Sequence, residues 1–313
     1  MAGFVATQIL YVWVQTGALQ KLADKPYPAA MLSSVWGFEL ERSEILCRAG
    51  EAIGLVIERK GHYRLTRKGA VLIGLPGVTA LIEHHKILYQ DLLNPVGFFK
   101  GVEETQLSKF WPYVFGGGMD LKSSEVEKYS DLMSESQHLV AADTLAAVNI
   151  PSVCRFLDVG GGKGTFVSEL KKIHPKVDAA VFDLPGSHSE NSGHRCIIGS
   201  FKEDELPAGY DIISLVRILY DHRDETIRDL LGKTYSALDK GGRLIVSEPM
   251  LGADRPTLWG DVYFAMYTLA MSTGKTRSPD QVSGFIKDAG FSNVTIHKSA
   301  RPFITTVIEA QKT

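Results

Sequence analysis

The side chains best suited to chemistry gather in one short stretch, SLVRILYDHRDETI, Ser214 to Ile227. An apolar run, Leu215 to Leu219, gives way to Tyr220, Asp221, His222, Arg223, Asp224 and Glu225. A strand ending in a phenol, a carboxylate and an imidazole sets groups that hold or move a proton just past a sheet edge, where open α/β sheets take their ligands. Asp221, Asp224 and Glu225 have a plainer use as caps and dipole partners of the helix that follows. Tyr220 and His222 have no such use, and the expectation of a reactive site rests on them.

A second constellation lies upstream in LDVGGGKGTF, where Gly160, Gly162 and Gly164 follow a strand and open a helix. Glycine permits the tight turn and the close approach of a ligand to the main chain. The spacing is G-x-G-x-G rather than the dinucleotide G-x-G-x-x-G, and Asp158 stands just before it. A carboxylate there repels a pyrophosphate and suits an ammonium group. Asp183, followed by Leu184 in VFDLP, lies roughly 20 residues further on, where a carboxylate accepts from ribose hydroxyls. Ser200 and Phe201, in IIGSFKED, suit hydrogen bonding to and stacking on an adenine. Together these residues describe a phosphate-free nucleoside with a cationic amino-acid tail, which is S-adenosylmethionine. The alternatives are a nicotinamide site and a purely structural loop.

The elements that must position these groups are legible in outline. From Val153 onward, short apolar runs alternate with helical stretches, which gives an α/β domain with a mostly parallel sheet and helices on both faces. The last two apolar runs predict a closing antiparallel hairpin at the sheet edge. The domain reading is 1–75, 76–150 and 151–313: a winged-helix-like dimerisation domain, a helical linker and substrate-capping region, and a Rossmann-like domain. Over 1–75 the order is helix, helix, hairpin, with period-two alternation around Gly61. The helix that would read DNA carries Glu41, Glu44 and Glu51 against Arg42 and Arg48, which argues against nucleic acid. The N-terminal MAGFVATQILYVWVQTGALQ has the length of a membrane span. Its Thr7–Gln8 and Gln15–Thr16 mark a polar stripe, so a packed helix is expected. FGGGM, Phe115 to Met119, reads as a flexible loop. A net charge of −2 points to neither nucleic acid nor an anionic surface, and three scattered cysteines favour a reduced, cytoplasmic protein without structural zinc.

With FLDVGGGKGTF, VFDLPG, LVRILYDHRDE and GGRLIVSEPM on the page, the chain resembles the S-adenosylmethionine-dependent O-methyltransferases that include plant caffeate-type and bacterial small-molecule enzymes. The stretches YSDLMSESQHLVAADTLAAV, FWPYVFG and GDVYFAMYTLAMSTGKTRS look most like the bacterial carotenoid 1-hydroxyl O-methyltransferases, the demethylspheroidene or hydroxyneurosporene type. The resemblance implies a winged-helix dimerisation domain followed by a Rossmann-like methyltransferase domain. It also implies that Asp183 holds the ribose, that Ser200 and Phe201 face adenine, that Arg217 lies near the methionine end, and that Met133 and Ser134 border the cofactor. A homodimer acting on a lipophilic carotenoid, with peripheral membrane contact, follows from it.

Two departures from the family pattern bear on mechanism. Many relatives have His-Asp-Trp where this chain has Tyr220-Asp221-His222, so the usual general-base histidine is a tyrosine. Glu248 matches the carboxylate that orients that histidine, and a second family acid falls at Thr276. Methyl transfer from a sulfonium is an in-line displacement that needs alignment and exclusion of water. A phenol, with a pKa of about 10, benefits from a histidine base. A tertiary alcohol is far less acidic, attacks while neutral and loses its proton late. The expectation is that Tyr220 holds such a hydroxyl while Glu248 or His222 takes the proton. The Tyr substitution also fits methylation at carbon, on a tetrapyrrole, and the remaining alternatives are a phenolic or polyketide substrate and a winged-helix regulator. His84 and His85 point to different helix faces, and one is a candidate to line a substrate channel. YFAMYTLAM, Tyr263 to Met271, reads as a buried helix or part of an apolar pocket.

Overall fold

The computed structural model describes residues 2–110, 123–185 and 194–313; for 76, 110, 123–133 and 135 it describes the backbone alone. The loop expected at FGGGM and the side chain of Met133 lie outside the described residues. The chain forms two compact units, Met1–Tyr89 and Gln90–Thr313.

In the first unit the apolar N-terminal run is two helices, α1 (Gly3–Gln15) and α2 (Ala18–Asp24), divided at Gly17, whose φ of 67° ends the first turn sequence. The single packed helix expected here is thus broken, because only glycine takes that left-handed conformation without strain. Trp13, Ala18 and Leu19 are fully buried with Leu32, Leu46 and Cys47. Helices α3 (Ala29–Trp36) and α4 (Leu40–Ala52) follow. A Cβ on Gly50 of α4 would lie 2.6 Å from the Trp13 ring, so the two helices meet where α4 has no side chain. The hairpin β1 (Val56–Arg59) and β2 (His62–Leu65) turns at Lys60 and Gly61, both at positive φ, as a two-residue hairpin turn requires. Helix α5 (Arg67–Gly74), capped by Thr66, and α6 (Pro76–Asp91) carry the chain out of this unit.

The second unit opens with α7 (Pro95–Lys100), α8 (Gln106–Phe110) and α9 (Ser123–Ala147). Strand β3 (Arg155–Val159), α10 (Thr165–Ile173), β4 (Asp178–Asp183), β5 (Arg195–Ile198) and β6 (Tyr210–Val216) then alternate as the sequence predicts. A 3-10 turn at Leu219–Asp221 leads into α11 (Asp224–Ala237) and β7 (Leu238–Glu248). A π-helical turn over Leu258–Phe264 runs into α12 (Ala265–Met271), and α13 (Pro279–Asp288), β8 (Ser292–His297) and β9 (Thr306–Gln311) close the fold.

The sheet has seven strands in the order β5-β4-β3-β6-β7-β9-β8; the first five are parallel, and β9 pairs antiparallel with both β7 and β8. Alternate residues of β3 enter opposite core layers, as a strand period of two dictates. Phe156 packs with Val140, Phe166 and Leu170 of α9 and α10, whereas Leu157 packs with Ile227, Leu230 and Val282 of α11 and α13. The chain leaves β3 for β4 on one side and later returns to β6 on the other, which puts the topological switch between β3 and β6. No single helix among the described residues is long and apolar enough to cross a membrane.

Candidate active site

The carboxyl ends of β3, β4, β6 and β7 meet at the switch point, where open α/β sheets bind ligands. Gly160 has φ +70°, and a Cβ on it would sit 2.3 Å from the Ile218 side chain, so the turn after β3 and the segment after β6 interlock only because residue 160 is glycine. Gly162, at φ +54°, faces open space. Its amide donates to Asp183 Oδ2 at 2.6 Å, and the Leu184 amide donates to Asp183 Oδ1 at 2.6 Å. The aspartate at the end of β4 therefore pins the glycine turn.

Asp158 is 1% exposed. Its Oδ1 accepts from Ser214 Oγ of β6 at 2.6 Å, and its Oδ2 has no partner. Burial raises its pKa to about 7, against the pull of the Ser214 bond. A buried carboxylate oxygen without a donor is costly, and a ligand cation would relieve it. Ser134 Oγ lies 2.7 Å from Thr165 Oγ1, the first residue of α10, so α9 reaches the helix start beyond the turn. On the next strand edge Ser200 and Phe201 form a turn in which the Ser200 amide donates to Asp204.

The turn after β6 departs from the expectation in its details. Arg217 has φ +59°, a left-handed conformation that costs a non-glycine residue roughly 1–2 kcal/mol. Its Nη1 donates to Ser136 Oγ at 2.8 Å. Tyr220 is 3% exposed, lies beside the charges of Asp221 and Arg217, and packs edge-on to Phe264 at 6.4 Å. Burial and the charge of Asp221 push its phenol further above the ordinary range, so it keeps its proton.

His222 turns the other way. Its ring meets Phe201 edge-on at 5.2 Å, and burial with the nearby positive charges of Lys202 and Arg277 lowers its pKa to about 3. A ring held neutral and packed against Phe201 weighs against the expected role of His222 as proton acceptor. Glu248 meets the turn from the end of β7. Its Oε1 accepts from the amides of Ile218 and Leu219 at 2.8 Å each, and its Oε2 from the Tyr220 amide at 3.4 Å. Its pKa rises to about 7 through burial, opposed by those amides. Both oxygens serve the main chain of the turn, which weighs against the expectation that Glu248 takes the substrate proton.

Sequence reasoning missed two members of this site. Arg277, 3% exposed, donates to the carbonyls of Leu219 and His222 and pairs with Asp224 at 2.5 Å, which fixes the turn from the far side. Thr276 beside it, where the family acid falls, is buried and lies 3.1 Å from Thr268 Oγ1. The loop carrying both abuts the turn: Lys275 N donates to Tyr220 O, and a Cβ on Gly274 would be 2.3 Å from the same carbonyl. Asp221 was read as a cap, yet it is 6% exposed with Oδ1 unpartnered. Burial and the charge of Glu248 raise its pKa well above the carboxylate range. The adjacency of Tyr220 and Asp221 was the available signal. His84 and His85, on α6, have pKa values lowered to about 4 by burial.

A parallel sheet with an acidic glycine turn at its switch point and an antiparallel closing edge defines an α/β methyltransferase domain. A family model described as an O-methyltransferase domain matches residues 89–292. The demethylspheroidene O-methyltransferase of Rhodobacter capsulatus is 42% identical, over 100% of this chain and 80% of its own length. The protein of the same name from Cereibacter sphaeroides is 40% identical, over 99% and 85%. The chain belongs to the O-methyltransferase family. Among solved structures, human N-acetylserotonin methyltransferase in complex with SAM has a TM-score of 0.80 at 22% identity, covering 99% of this chain and 95% of that one, a likeness of fold.

Proposed function

We propose that this protein transfers the methyl group of S-adenosylmethionine to the tertiary C-1 hydroxyl of an acyclic carotenoid such as demethylspheroidene. The observation that carries the reading is the full-length similarity to two demethylspheroidene O-methyltransferases. The site chemistry supports it. When bound, the cofactor supplies an electrophilic methyl group on a sulfonium. Asp158, with its unpartnered Oδ2, suits the cationic amino-acid end, and Asp183 suits the ribose. The open space over Gly162 leaves room for a ligand against the main chain. Ser200 and Phe201 are assigned to the adenine side, Arg217, Met133 and Ser134 to the methionine side. Tyr220 holds the acceptor hydroxyl; a buried phenol with a raised pKa suits an alcohol that keeps its proton until the new bond forms.

The same reading assigns residues 1–75 to dimerisation, 76–150 to substrate capping and 151–313 to catalysis. Phe4, Met31 and Ile45, exposed at 74%, 50% and 62%, support a homodimer through the first unit. Leu93, Val96, Phe99 and Val102, spaced by three and exposed at 64–83%, support peripheral contact of a cytoplasmic protein with the membrane that holds its substrate. The purified protein, given methyl-labelled S-adenosylmethionine and a 1-hydroxylated acyclic carotenoid, is expected to yield a labelled methoxy product. Label passing only to phenols would overturn the substrate assignment.

A further inference from the structure

The π-helical turn over Leu258–Phe264 begins at the surface and ends against the reactive turn. Trp259 is 53% exposed and packs on Phe303, itself 45% exposed, with ring centroids 5.4 Å apart. Leu258 and Val262 beside it are exposed as well. Further along, Tyr263 and Phe264 are half-buried and their rings meet at 4.8 Å. Phe264 in turn meets the buried Tyr220 at 6.4 Å. The π geometry is what joins the two ends. The Ala265 amide donates to the Gly260 carbonyl, five residues back. In an α-helix residues five apart lie on different sides, whereas a turn closed by i→i+5 bonds brings them to one. Trp259 therefore shares a side with both Tyr263 and Phe264. Exposure falls along one aromatic row, from Trp259 and Phe303 to Tyr220.

The row is held by backbone and carries no charge of its own. A Cβ on Gly260 would lie 2.1 Å from the Met250 carbonyl, so the turn sits directly on the chain leaving β7. Asp261, the one charged residue of the turn, is engaged by the amides of Gly252 and Thr257 at 2.8 and 2.7 Å. We propose that this row is the track for the hydrocarbon chain of the substrate, whose hydroxyl end reaches Tyr220 while its far end leaves the protein over the Trp259–Phe303 pair; this rests on the carotenoid-methylating function proposed above. A hydroxyl at one end of a long hydrocarbon reaches a buried phenol only if the rest of the molecule has a path outward. Water along that path costs about 25 cal/mol for each Å² of apolar surface left exposed. Flat ring faces cover a flat conjugated chain, which asks for no hydrogen bond along its length. A second copy of this protein or a membrane would also cover Trp259 and Phe303, but neither accounts for a row that continues inward to Tyr220.

Trp259→Ser and Phe303→Ser change exposed side chains, and urea unfolding should show both variants folded. The measured quantity is the preference for length: kcat/KM for a 1-hydroxylated acyclic carotenoid over that for a short tertiary alcohol with the same end. In each variant it should fall at least about tenfold, with the loss on KM for the carotenoid and not on kcat. A readout without turnover is tryptophan emission, since a polyene lying on Trp259 takes up its excitation. The carotenoid should quench wild-type emission, and the quenched amplitude should be smaller in Trp259→Phe. An unchanged preference in both variants, no quenching in the wild type, or an equal quenched amplitude in Trp259→Phe would overturn the inference. So would variants that lose self-association or vesicle binding and keep the preference. If the wild type methylates only phenols, the substrate reading falls, and quenching by the polyene still decides whether the row binds it.

Discussion

Acidification from pH 8 to pH 5 should weaken cofactor binding through Asp158. In the free protein burial sets its pKa at about 7, so the carboxyl is largely protonated at pH 5. A bound ammonium group favours the ionised form and returns the pKa toward the ordinary aspartate value of about 4. The sign follows: binding releases a proton, and affinity rises as pH rises toward 7. With values of about 7 free and about 4 bound, affinity at pH 8 exceeds that at pH 5 by roughly 80-fold, or about 2.6 kcal/mol. Calorimetry in two buffers of different ionisation enthalpy counts the proton: about 0.9 released at pH 6 and about 0.1 at pH 8. Asp158→Asn should abolish the slope, which separates Asp158 from Glu248, raised to a similar value. Affinity independent of pH, or a slope unchanged in Asp158→Asn, would refute the placing of a cation at Oδ2.

Three further outcomes are expected. Asp183→Ala removes the acceptor of the Gly162 and Leu184 amides as well as the proposed ribose contact, so calorimetry should show cofactor affinity reduced at least about tenfold, from a loss of about 1.5–3 kcal/mol. Gly160→Ala meets Ile218 and a positive φ together, and urea unfolding should show a loss of about 1–3 kcal/mol. Glu248→Gln replaces one acceptor oxygen by an amide donor facing the Tyr220 amide; about 1–3 kcal/mol of stability should be lost in the same assay.

The second unit was legible because its signals are local. TFVSELKKIH forms α10, the strand with VFDLP ends in Asp183, and SLVRIL ends at the turn that carries Tyr220, each set by periodicity and by glycine within a few residues. The catalytic assignments were less legible because they depend on partners far along the chain. Glu248 holds amides about thirty residues earlier, and Arg277 holds carbonyls more than fifty residues earlier. Neither spacing leaves a periodic trace. The orientation of His222 toward Phe201 is likewise fixed by which strand end lies beside which, and the break at Gly17 in the apolar N-terminus by a backbone angle that composition does not encode.

The contact of Gly274 with the carbonyl of Tyr220 has a bearing on how this enzyme can be diversified. The rear wall of the reactive turn is bare backbone at its closest approach, and even a methyl group added there would displace the wall. Side-chain substitution can reshape the turn only where side chains meet it, as Phe264 does at the Tyr220 ring.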